Sequence, residues 1–223
     1  MDPTSAASQS ASDGAAAAAA TTPTPTAAVA APTKAVLLLF ARYHIAATET
    51  LLATVTKAEV WSKPASCLFF DTIHGTINHI AGVDEFWRRR LQGGDYSEFA
   101  PLYANKVAES GVTDGALWTA RNPDWAVASR AAVEAAQATH DYIAKLSEED
   151  LLAFAEYHST NGTPQKIQRG AALLHLLNHA THHRGQAHAA LSSFGVPTPP
   201  LDITLVMGIP NCVLTTTSAP SPL

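Results

Sequence analysis

The sequence predicts an all-α chain, an up-and-down four-helix bundle with a small β-hairpin before its last helix. Three observations carry that expectation. Four long stretches repeat apolar residues at the 3.6-residue helical period. Cap or breaker residues bound them. An Asn161-Gly162 step lies between two short β-prone runs just ahead of the last stretch.

The first helix is expected over residues 35–55, with Leu37, Leu38, Ala41, Ile45, Thr48 and Leu52 on one stripe. Lys63-Pro64 and Ser66 then break the chain. A second helix is expected over 71–91, capped by Asp71 or Thr72 and stopped by Gly93-Gly94. Its buried side runs through Ile73, Ile77, Ile80, Val83 or Asp84, and Trp87. A loop with Tyr96, Phe99, Pro101 and Tyr103 leads to Asn122-Pro123, and Pro suits the first position of a helix. That third helix covers 124–146, through Val127, Val133, Ala136, His140 and Ile143. Ser147-Glu148-Glu149 caps a short turn, and runs over 152–159 and 163–167 form the ribbon, with a type I′ turn at Asn161-Gly162. The fourth helix spans 169–194 and ends at Gly195 and Pro197; residues 201–209 pack as a strap or short extension.

Residues 1–33 are nearly all Ala, Thr, Ser and Pro, too poor in apolar bulk to offset the entropy of ordering them. The expected organisation is a disordered tail over 1–33, the bundle over 34–209 and a second tail over 210–223. The first basic residue is Lys34 and no bulky apolar stretch precedes it, so neither a secretory nor a transit peptide is read and a cytoplasmic location is expected. The net charge of -5 argues against a nucleic-acid partner. Arg88-Arg89-Arg90 reads as a solvated helix face. Cys67 and Cys212 make neither a ligand motif nor a disulfide framework. No apolar run reaches the ~20 residues of a membrane span, so no membrane partner is expected.

Histidine is the unusual residue: of ten, five fall between His175 and His188. Residues four apart lie one above the other on a helix, so His179 and His183 can point two imidazoles at one ion. No Glu follows the first His, which removes the zinc-protease general base. A third ligand must come from a facing helix, and His79 sits on the apolar side of the second one. Ligation would explain a His there, although a hydrogen-bonded core histidine is the plainer reading of each position taken alone.

The run from Leu174 through His175, His179, His183, Arg184 and Gly185 to Gln186 resembles the terminal-helix motif of the DinB family. Asn78-His79 with Trp87 eight residues after the His resembles the family's second motif, and Ala41-Arg42-Tyr43 its opening. The family often has Asn after that Tyr; this chain has His44, whose role stays open. The resemblance covers residues 34–209. It implies a divalent metal, commonly nickel, zinc or iron, held by His79, His179 and His183; by spacing, Gln186 is expected to border the metal's open side, and His175, one turn before His179, to be either an outer neighbour or core. Three neutral imidazoles leave a position for water or substrate. The implied function is metal-dependent transfer or hydrolysis on an unidentified small molecule, with a small thiol as a candidate substrate. The alternative is a non-catalytic metal-binding or stress-response protein. A homodimer is expected, with 201–209 as its apolar candidate surface.

Overall fold

The structure is a computed structural model, described here over residues 32–103, 113–159 and 162–210. Residues 1–31 of the expected tail, Asn161 of the expected turn, Cys212 and residues 211–223 lie outside the described residues.

Four long helices form the bundle: α1 (Lys34–Ala58), α2 (Ile73–Leu91), α5 (Trp125–Lys145) and α7 (Arg169–Ser193). Between them lie a 3-10 turn at Ser97–Phe99, α3 (Ala100–Tyr103), α4 (Asp114–Arg121), α6 (Glu148–Leu152), and strands β1 (Phe154–His158) and β2 (Pro164–Gln168); α8 (Ile203–Val206) follows α7. Side-chain caps start most of the helices. Thr33, Thr72 and Asp124 accept from the third residue on, each satisfying an orphan N–H, and Ser147 and Asp150 make a reciprocal capping box. The strands pair antiparallel, Ala155 opposite Ile167, and Gly162 takes φ +83°, a region that favours glycine.

Helix directions follow from which ends meet. Trp125 Nε1 donates to Thr56 Oγ1 at 2.8 Å, and the His74 amide donates to the Trp61 carbonyl at 2.9 Å. The end of α1 therefore meets the starts of α2 and α5. At the other end the Tyr142 hydroxyl donates to the Leu91 carbonyl, and Leu37, Ile143 and Leu173 share one buried cluster. The all-α four-helix bundle with a hairpin before its last helix is present as expected; within it the long helices run up, down, down, up, so neighbours in sequence alternate except from α2 to α5. By Thr113, whose hydroxyl bonds the Asp71 carboxylate just before α2, the chain is already back at the top, so α5 also starts there. As a result α1 and α2 face each other across the diagonal, while α5 and α7 flank both.

Three other expectations are corrected. The stripe of α5 is Trp125, Ala128, Ala132, Ala136, Thr139 and Ile143; Val127 faces outward, because the small residues are what let α5 approach α1 and α2 closely. Arg90 is buried rather than solvated: its guanidinium lies 3.8 Å from the Phe86 ring centroid and 4.7 Å from that of Tyr157, and it donates to the His158 carbonyl. It thereby ties the hairpin to α2. Finally, α1 is long and apolar enough to cross a membrane by length and composition, although its stripe from Leu37 to Val55 is here buried in the bundle.

Gly82 is where α4 meets α2. A Cβ at that position would run into the Trp118 ring, with Cη2 at 3.0 Å and Cζ3 closer still. Trp118 is 2% exposed and has nowhere to swing. Gly82→Ala gains helix propensity of about 1 kcal/mol, but overpacking costs about 1–3 kcal/mol or more against a rigid ring. The expected outcome in urea denaturation is a net loss of stability; an unchanged or raised midpoint would contradict this packing.

Candidate metal centre

α2 presents His79 and α7 presents His179 and His183, one turn apart, and the antiparallel pairing of these helices brings all three together. Their ring nitrogens lie within 4.8 Å of one another, and among the described residues no fourth His, Cys, Asp or Glu joins the group. His79 Nε2 is 3.2 Å from His179 Nε2, and His183 Nε2 is 3.2 Å from the same atom.

Aromatic rings wall the site. Phe70 stacks on His79 with centroids 4.0 Å apart, and Trp118 meets the same imidazole edge-on at 4.7 Å. Two tight features place those rings. Asp71 adopts φ +62°, which turns the chain sharply after Phe70, and its carboxylate accepts from Thr113 Oγ1 just before α4. Gly115 then lets α4 press against the Phe70 carbonyl, with no room for a Cβ.

Proton counting tests whether these residues fit a cation. His183 Nδ1 donates to Gln186 Oε1 at 2.9 Å, while the Gln186 amide donates to His182. His183 therefore carries a bare lone pair at Nε2. His179 Nε2 faces two nitrogens. If it holds a proton it can serve one neighbour with good geometry; if it does not, its lone pair faces that of His183. No set of neutral tautomers satisfies both contacts, and His79 Nδ1 is buried without a partner as well. Protonation is opposed too: burial first, then the neighbouring imidazoles, lower the His79 pKa to about 2 and the His179 pKa to about 3. Burial also lowers that of His183, against the Gln186 hydrogen bond. Two imidazole nitrogens held at ~2.0–2.1 Å by one tetrahedral ion would sit about 3.3 Å apart. The donor set fits a divalent transition metal.

Gln186, His175, His182 and His140 fall as follows. Gln186 is behind His183, bonded to its far nitrogen, not on the open side of the cluster. His175 lies at the edge, its centroid 6.0 Å from that of His179 and 5.6 Å from Trp87. His182 is exposed, and His140 is away from the site, bonded to Asp141. Phe70 and Trp118 were not anticipated. Thr113, a cap followed by Leu117-Trp118 at helical spacing, is the signal that could have revealed α4.

The comparisons agree with the motif resemblance. The chain matches the DinB family over residues 32–210. A search of curated proteins finds no match.

The lowered pKa values set a pH dependence for the metal-free protein. The unfolded chain binds protons at these histidines below about pH 6.5, whereas the folded chain refuses them until about pH 3 at His179. Stability is therefore full above about pH 6.5 and is lost as pH falls through that window. Thermal melts of chelator-treated protein at pH 7.5, 6 and 5 should show a falling midpoint, with a shallower fall for His179→Ala. Equal slopes for both proteins would contradict the assignment.

Proposed function

The chain belongs to the DinB family, and on that premise we propose that His79, His179 and His183 hold one divalent transition-metal ion in a metal-dependent transferase or hydrolase. The observation that carries the reading is the meeting of three imidazole nitrogens whose protons cannot satisfy one another. The absence of a fourth protein ligand among the described residues favours an open site over a closed structural one. Three imidazoles suit nickel, zinc and iron alike.

A bound ion supplies Lewis acidity and lowers the pKa of a coordinated water or thiol. The protein's part is positioning and dryness. Gln186 fixes the tautomer and tilt of His183, as a hydrogen-bonded partner behind a ligating imidazole does. Phe70 and Trp118 hold the His79 ring and keep water from its faces. His179 is half-buried between the buried His79 and His183, which puts the approach for a small molecule on its side. Among the described residues no hydrogen-bonded Ser-His-Asp or Cys-His pair accompanies the cluster. A small thiol attacking an electrophile is the chemistry this arrangement suits.

Metal content of tag-free protein, compared with His79→Ala, His179→Ala and His183→Ala, tests the site. About one ion per chain is expected for the parent and at least a tenfold weaker hold in each variant; equal occupancy throughout would overturn the ligand assignment. Turnover of electrophiles with a panel of cellular thiols then separates an enzyme from a metal-binding protein. Activity surviving both chelation and His183→Ala would contradict metal-dependent chemistry.

A further inference from the structure

His44 stands on α1, which supplies no ligand, yet it is fully buried in the middle of the bundle. Its Nε2 is 2.7 Å from Asp84 Oδ2 on α2. Its Nδ1 meets Arg184 Nη1 from α7. A guanidinium can only donate, so Nδ1 accepts and Nε2 carries the proton that goes to the Asp84 carboxylate. Thr181 Oγ1 accepts from the other end of the Arg184 fork at 3.0 Å, and Tyr43 lies under the guanidinium at 5.3 Å. Asp84 and Arg184 are each 1% exposed. The imidazole is thus the bridge between a buried anion and a buried cation on the two helices that carry the metal candidates.

We propose that His44 is a positioning residue for the metal centre, setting how α2 and α7 are rotated toward each other. The proposal rests on the metal reading above. Arg184 adjoins His183, and consecutive residues diverge by about 100° around a helix. Anchoring Arg184 toward α1 turns the His179/His183 edge of α7 toward α2. Asp84 is five residues beyond His79, about 140° around α2. Anchoring it therefore fixes the rotation of α2 at which His79 meets His179 of α7. Because α1 and α2 face each other across the diagonal, the link needs a long side chain with an acceptor on one nitrogen and a donor on the other. Histidine supplies both. Ligand nitrogens must be placed to within about 0.5 Å for tight binding, so a loosened rotation should be felt at the ion.

The test uses the full chain without a tag and Co(II) as the probe, read by its visible absorption bands and by competition with a chelator. His44→Leu keeps apolar volume and removes both hydrogen bonds. Asp84→Asn keeps shape and removes the charge, and it serves if His44→Leu does not fold. The expectation is Co(II) affinity lowered about tenfold in His44→Leu and at least threefold in Asp84→Asn, with altered bands in each folded variant. Parent-like affinity and bands in a folded variant, even one of lower melting temperature, would overturn the proposal by showing that the bridge serves stability alone. If the parent itself takes up no Co(II), the metal reading fails and the positioning role falls with it. If the parent binds and the folded variants bind equally well, the positioning role alone fails.

Discussion

Two nitrogen–nitrogen contacts of 3.2 Å, from His179 to His79 and to His183, are the constraint on which the middle of the bundle depends. Neutral imidazoles bring one N–H each, and that of His183 is already committed to Gln186. The remaining protons cannot make both contacts favourable, and dryness keeps further protons out. A bundle that simply wanted a stable core would place Leu or Ile here. The polar cluster is instead held by rings packed so closely that Gly82 and Gly115 are the only residues those two positions admit without displacement.

Each neighbouring feature relates to that cluster through the path of the chain. The Phe70–Asp71 turn lays one ring on His79, and α4 brings a second, Trp118, to the same imidazole. The chain's return to the start of α2 before α5 begins makes α2 and α5 parallel, and α1 lies diagonally across from α2. That diagonal is spanned by His44 between Asp84 and Arg184. A buried ion pair contributes little to net stability once desolvation is counted. Its placement between the two ligand-bearing helices is therefore more informative than its strength.

The helical stripes of α1 and α2, the end of α7 before Gly195, and the caps Thr72 and Ser147 were legible because they are local. So were His79, His179 and His183, through the one-turn spacing on α7 and the motif on α2. What was not legible depends on tertiary placement. α4 is eight residues long, too short for a strong periodic signal, and so Trp118 was missed. Phe70 lies in a connection whose turn at Asp71 has a positive φ that no glycine announced. The stripe of α5 was misread because the helix packs through alanines, and larger Val127 drew the apolar face outward on paper. Arg90 and His44 looked like surface or unassigned polar groups, since only the folded arrangement supplies the aromatic rings and the opposite charges that bury them.

X-ray absorption at the metal edge of tag-free, metal-loaded protein tests the central claim most directly. Three imidazole nitrogens are expected around the ion, at ~2.0–2.1 Å if it is zinc, with at least one further light-atom ligand from outside the triad. A shell with sulfur at ~2.3 Å, or one that lacks imidazole scattering, would contradict it.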